Sequence, residues 1–239
     1  MSGHSKWSKI KRDKGANDAK RGAVFTRLGN QIAVAAKAGA DPTMNPNLQM
    51  AIDKARASNM PKDNIQRSID RAADKNAAQL EEVTYEGYGP AGVGIIIETA
   101  TDNKNRTLPE VKTALIKNGG RIADAGSVMF QFERKGVIQL EETGEDTLLM
   151  VLEAGADDAV EEAGEMTVYT EQKELMKVRA NLVESGLKVV DAALQYVPTI
   201  SVDVTDEETS NKIIKIMDAL DDLDDVVNVN TNANILTET

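Results

Sequence analysis

Lys6, Lys9, Lys11, Arg12, Lys14, Lys20, Arg21 and Arg27 crowd the start of the chain, opposed there only by Asp13 and Asp18. The first fifteen residues mix Lys, Ser and Gly with no apolar period, so they read as an arm rather than a packed element. Cations at this density suit one chemistry: neutralising a phosphate chain and releasing its condensed counterions. Trp7 stands among them and can stack on an exposed base, a contact worth about 1–3 kcal/mol. His4 can hydrogen-bond to such a base. A solubilising charge run, with Trp7 packed on the body, is the competing reading. It is the weaker one for the cluster, because few local carboxylates neutralise these cations.

The rest of the chain sharpens that polarity. Residues 1–75 carry 15 Lys and Arg against 7 Asp, and no glutamate precedes Glu81. The remaining residues carry 13 basic against 32 acidic side chains, which brings the 239-residue chain to a net charge of −11. Such asymmetry between halves points to a polyanion at the basic end and leaves the acidic part to repel it or to face a protein partner. Cysteine is absent and histidine occurs once, which excludes disulfides, thiolate metal sites, cysteine nucleophiles and any ordinary Ser–His–Asp triad. No catalytic set, metal site or cofactor is expected. The N-terminus lacks the apolar core of a signal peptide, and Val93–Ile97 is too short a run to span a bilayer. A cytoplasmic protein with no membrane partner is expected.

Four other patterns invite a chemical reading. Arg67, Arg71 and Lys75 recur at i, i+4 and i+8, but Asp63, Asp70 and Asp74 lie within pairing distance, so a solvated, salt-bridged face is expected. Gly87-Tyr88-Gly89-Pro90-Ala91-Gly92 has the letters of a dinucleotide fingerprint. It leads into a strand rather than a helix, and Pro90 removes a donor, so it reads as a turn between strands. Asp102, Asn103, Lys104, Asn105 and Arg106 form a polar loop that could contact a partner, with plain turn chemistry competing. Acidic pairs such as Glu141-Glu142 and Asp224-Asp225 read as solvated faces, since nothing in the sequence splits their pKa values.

These residues must be carried by a definite set of elements. Phe25, Leu28, Ile32 and Ala35 or Ala36 share a helical face that stops before Gly39. Asn45-Pro46 opens a second helix with Leu48, Ile52 and Ala55 inside, and Asn59-Met60-Pro61 a third with Ile65, Ile69 and Ala73. From Glu81 the pattern changes to strands at 83–87 and 92–101. A capping box at Thr107-Leu108-Pro109-Glu110 predicts a helix running to Gly119-Gly120, and the alternation of Val128, Phe130 and Phe132 predicts a strand. After Gly136 the order is βαββαβ, the split-βαβ plan, and the tail adds strand, helix and strand. A strand-helix-strand that short is marginal alone, so it is expected to return to the 81–133 sheet and make the βαββαβ block an insertion.

Gly3-His4-Ser5-Lys6-Trp7, Asp18-Ala19-Lys20-Arg21-Gly22, Asn59-Met60-Pro61-Lys62-Asp63-Asn64-Ile65, Tyr85-Glu86-Gly87-Tyr88-Gly89-Pro90, Asp102-Asn103-Lys104-Asn105-Arg106-Thr107 and Gly126-Ser127-Val128 together resemble the YebC/PmpR family. The resemblance runs in order over nearly the whole chain and is strongest up to about residue 135. It implies an α+β protein of three domains. Residues 1–78 would form the basic arm and three-helix bundle, and 79–134 with 199–239 a discontinuous middle α/β domain. Residues 135–198 would be the ferredoxin-like domain inserted into it. It also implies a DNA-binding transcriptional regulator with no enzymatic activity or cofactor. Relatives, including the mitochondrial translational activator of cytochrome c oxidase, point instead to ribosomal RNA and translation. No helix-turn-helix signature is legible in the sequence, which favours contact with the nucleic-acid backbone over base readout.

Overall fold

The computed structural model describes residues 18–74, 80–162 and 164–236, with side chains from residue 22 onward. The chain is mixed α+β, and its described residues form two compact units. One ends at Gln131 and resumes at Ile200; the other spans Phe132–Thr199.

The first unit opens with three helices: α1 (Asp18–Ala36), α2 (Pro46–Ala57) and α3 (Lys62–Ala73). Leu28, Ile32, Ala36, Leu48, Ile52, Ala55, Met60, Ile65 and Ile69 form their common core, with Phe25 at its margin. The helical spacing of the apolar residues therefore translates directly into packing. Asn45 joins two helices at once. Its side chain accepts from the Leu48 N–H at 3.2 Å to start α2, while its amide donates to the carbonyls of Ala35 and Gly39 at the end of α1. Gly29 lets α3 come close, since a Cβ there would lie 2.9 Å from Ser68 Oγ.

The same unit continues as β1 (Glu81–Tyr88), β2 (Gly94–Thr101), α4 (Lys104–Lys117) and β3 (Arg121–Ala123). After the second unit it resumes with β8 (Val202–Val204), α7 (Glu207–Asp221), β9 (Val226–Thr231) and β10 (Ala233–Ile235). Strand β9 pairs antiparallel with β2, completing a sheet of order β3-β1-β2-β9. The tail thus returns to the sheet begun before the insertion. Val111 and Leu115 of α4 and Ile213, Ile216 and Leu220 of α7 pack with Ile95 and Ile97 of β2 in one core. The Gly87–Gly92 run spans the end of β1 and its connection to β2, a single 3-10 turn at Pro90–Gly92 with Ala91 at φ 57° and Gly92 at φ 76°.

The second unit contains β4 (Phe132–Leu140), α5 (Glu145–Glu153), β5 (Asp158–Glu162), β6 (Glu165–Thr170), α6 (Leu175–Glu184) and β7 (Val189–Pro198). Its sheet has the order β5-β6-β4-β7 with every pair antiparallel, the arrangement a split βαβ plan demands. Gly136 lies inside β4, where a Cβ would come within 2.8 Å of Leu175 Cβ. That glycine lets helix α6 approach the sheet.

Several expectations need correction. Helix α4 is capped by Asn103, which accepts from the Arg106 N–H, so Thr107 and Pro109 lie inside the helix rather than opening it. Residues 128–132 do not form a strand. Met129–Gln131 is a 3-10 turn, Val128 is buried, Phe130 is exposed, and β4 begins at Phe132. The cause is a buried carboxylate: Glu86 accepts from the backbone N–H groups of Gly126, Val128 and Met129 at 2.5, 2.6 and 2.8 Å. Those donors are thereby unavailable to a sheet ladder. The short strands β3 and β10 carry no periodic signal long enough to show in the sequence.

The Glu86 contact sets the first expected outcome. Glu86→Ala strands three backbone donors and should cost about 2–4 kcal/mol of stability, read as a lower urea midpoint. An unchanged midpoint would show that the 124–131 turn is held by something else.

Candidate nucleic-acid interface

Most of the candidate phosphate contacts, Lys6, Trp7, Lys9, Lys11, Arg12 and Lys14, lie outside the described residues, as does His4. Lys20 and Arg21 stand in the first turns of α1. Arg27 is different in kind. It is buried, its Nη1 lies 2.6 Å from Asp221 Oδ1, and its Nη2 donates to the Asp221 carbonyl. It therefore fastens α1 to the C-terminal end of α7, where a cation also complements the helix dipole, and it is withdrawn from the set of phosphate contacts. Gln31 donates to the Val227 carbonyl and Asn30 to that of Asp224, adding two further ties along α1.

The segment 102–106 is likewise a junction. Asp102 faces Arg71 of α3 at 3.7 Å and Arg106 at 3.1 Å, Asn103 caps α4, and Lys104 pairs with Glu81 at 2.5 Å. Arg106 reaches Asp225 at 2.7 Å. Asn105 is exposed. Around these side chains opens a cleft of about 490 Å³, lined by Thr26, Asn30, Arg71, Asp102, Arg106 and Asp225 among others. Partner contact by this loop therefore has to compete with the ion pairs that hold its cations.

Asp225 is the hub of that junction and was passed over in sequence because it looked like half of a surface acidic pair. It is buried and accepts from Thr101 Oγ1 at 2.9 Å, Thr107 Oγ1 at 2.6 Å and Arg106. Burial pushes its pKa up, but the bonds from Thr107, Arg106 and Thr101 and the charge of Arg106 outweigh that, and the net shift is downward from the ordinary aspartate value.

The third helix also departs from expectation. Arg67 bonds the Asp63 carbonyl at 3.2 Å and the Asn64 side-chain oxygen, neither of them charged. Arg71 bonds Asn30 Oδ1 at 3.3 Å and turns to Asp102, while Asp70 receives the Gln66 amide instead. Lys75 lies outside the described residues. The expected ladder of carboxylates and cations along α3 is not what fills this face. Between α1 and α3 runs a groove of about 340 Å³, lined by Phe25, Thr26, Gly29, Asn30, Met60, Asn64, Arg67, Ser68 and Arg71. It holds two arginines and no carboxylate. No group of His, Cys, Asp or Glu among the described residues is placed to hold a metal ion, and no helix there is long and apolar enough to cross a membrane.

Residues 5–75 match the model of the TACO1/YebC protein N-terminal domain, and residues 80–233 match that of the TACO1/YebC second and third domain. A probable transcriptional regulatory protein of Desulfotalea psychrophila is 46% identical over 98% of this chain and 96% of its own length. One of the same description from Persephonella marina is 45% identical, over 97% and 95%. The crystal structure of a conserved hypothetical protein of Aquifex aeolicus superposes with a TM-score of 0.87 at 40% identity, covering 92% of this chain and 93% of that one.

The Asp225 hub carries a pH dependence. Its carboxyl has a lower pKa folded than unfolded, so its contribution is complete above the unfolded value and fades as acid carries the pH down through the folded one. Asp225→Asn should therefore lower stability at neutral pH by about 1–3 kcal/mol. It should also flatten the fall of stability below about pH 4, measured by urea titrations across pH.

Proposed function

The chain belongs to the TACO1/YebC family, and from that premise we propose that it is a nucleic-acid-binding regulator of transcription whose basic N-terminal end grips the phosphate backbone. The observation that carries this reading is the charge division: 15 basic against 7 acidic residues up to position 75, and the reverse excess beyond it. The description of its relatives as probable transcriptional regulatory proteins agrees with it. Lys6, Lys9, Lys11, Arg12, Lys14, Lys20 and Arg21 neutralise phosphates, and Trp7 and His4 meet exposed bases. The acidic remainder is repelled by the same polyanion and turns the basic end toward it. The protein works in the cytoplasm and performs no catalysis.

A second reading, ribosomal RNA and a role in translation, is favoured by one observation. The groove on the bundle sets arginines beside an apolar floor, which suits an unstacked base better than a duplex edge.

Changing Lys9, Lys11 and Arg12 together to Glu should abolish retention on nucleic acid at roughly physiological salt, without lowering thermal stability. Unchanged affinity would overturn the assignment. Crosslinking in living cells, with sequencing of both DNA and RNA, separates the two targets: promoter peaks mean transcription, and enrichment confined to ribosomal RNA means translation.

A further inference from the structure

Resting on that reading, we infer that the groove between α1 and α3 receives one nucleotide of a single-stranded nucleic acid, its phosphate on Arg67 and Arg71 and its base on Phe25. Charge comes first. In a chain of net charge −11, the groove's lining contains two guanidiniums and no carboxylate. An anion entering it meets two cations: Arg71 is already drawn to Asp102 at 3.7 Å, so the attraction rests chiefly on Arg67, whose partners are neutral.

The Arg67 guanidinium is also preorganised. Its Nε is held by the Asp63 carbonyl and one Nη by Asn64, both within a turn of its own helix, and both neutral. Of its five N–H donors, those two bonds fix the plane, and the others are available to a phosphate oxygen in the fork geometry that arginine provides. The remaining polar groups of the groove are occupied internally: Thr26 bonds the Gly22 carbonyl, Ser68 that of Asn64, and Asn30 lies between Arg71 and the Asp224 carbonyl. They shape the walls and leave recognition to the arginines and the apolar floor.

That floor argues against a bare phosphate. Phe25 is only partly buried in the bundle core and supplies apolar surface beside the cations, while Met60 lines the groove as a buried core residue. Aromatic surface next to a guanidinium suits the flat face and the charged link of a nucleotide together. The volume, about 340 Å³, is at the lower end of small-ligand sites. Position argues for a strand over a free mononucleotide. Phe25 lies one helical turn after Arg21 on α1, so along the sequence the groove adjoins the cations that the proposed function assigns to the phosphate backbone.

The test uses the full-length chain and a fluorescein-labelled single-stranded RNA of about ten nucleotides. A matching oligomer lacks its central bases, and the DNA counterparts of both complete the set. Arg67→Ala should weaken binding about tenfold and reduce the salt slope by about one. Arg56→Ala, an exposed cation on α2 outside the groove, should change affinity by no more than about twofold. The oligomer without bases should bind the wild type about fivefold more weakly than the intact one. If Arg67→Ala behaves like Arg56→Ala while the Lys9, Lys11 and Arg12 reversal still abolishes binding, the groove is not the site and the wider reading stands. If that reversal has no effect, or no oligomer binds, the wider reading fails and this inference with it. Binding of AMP that Arg67→Ala removes, with oligomer affinity untouched, would make the groove a mononucleotide site and overturn the strand.

Discussion

Asp225 is a carboxylate taken out of water where three segments of the first unit meet: β2, α4 and the connection between α7 and β9. Its side chain draws in Thr101 at the end of β2, Thr107 inside α4 and the guanidinium of Arg106. Its backbone carbonyl accepts from the Ala100 N–H at 2.8 Å. A buried charge is tolerable only when its lone pairs are met, so each of these partners is constrained to one place. From Arg106 the network passes to Asp102 and on to Arg71 of the bundle. The helical end of the molecule and the sheet are therefore parts of one compact body. A tail helix and strand that come from beyond the insertion supply the residue that fixes the turn after β2.

Ion pairs sort the arginines around this junction into two groups. Arg27 and Arg106 are held by carboxylates and serve the fold, and Arg71 divides its bonds between Asn30 and Asp102. Arg67 keeps its full charge because its partners are neutral oxygens. This division matters for function, since a phosphate can be gripped only by a cation that is not already neutralised. A basic total up to residue 75 describes attraction at long range; the proposed point of contact rests on Arg67, whose partners are neutral.

Glu86 shows how one buried side chain can overrule a local pattern. Val128, Phe130 and Phe132 alternate as a strand should, and on periodicity alone they predict one. A carboxylate 40 and more residues earlier in the chain captures three loop donors, those of Gly126, Val128 and Met129, and bends the segment into a 3-10 turn. The ladder bonds a strand would need are spent, so Phe130 is left exposed and β4 begins two residues later. Thr107 gives the same lesson. It has the letters of a helix cap, but its hydroxyl is engaged by Asp225 and Thr101, and Asn103 does the capping.

What the sequence determined by itself was whatever depends on near neighbours. The three bundle helices with Asn45 as a cap, the βαββαβ order and the return of the tail all follow from spacing, capping and the marginal stability of short units. So does the rejection of the Gly87–Gly92 run as a nucleotide loop, because a fingerprint needs a helix after it. The concentration of cations before residue 76 is equally a property of sequence. Tertiary structure alone decided the long-range charge pairs. Arg27 meets Asp221 across 194 positions and Arg106 meets Asp225 across 119, and no periodicity encodes such distances. Within a helix an arginine's neighbours are three or four residues away, and Asp63 and Asp70 stood at the right intervals to neutralise Arg67. Competing hydrogen bonds, from Arg67 to Asn64 and from Gln66 to Asp70, sent those pairings elsewhere. The groove with its uncancelled arginine is thus a consequence of the fold.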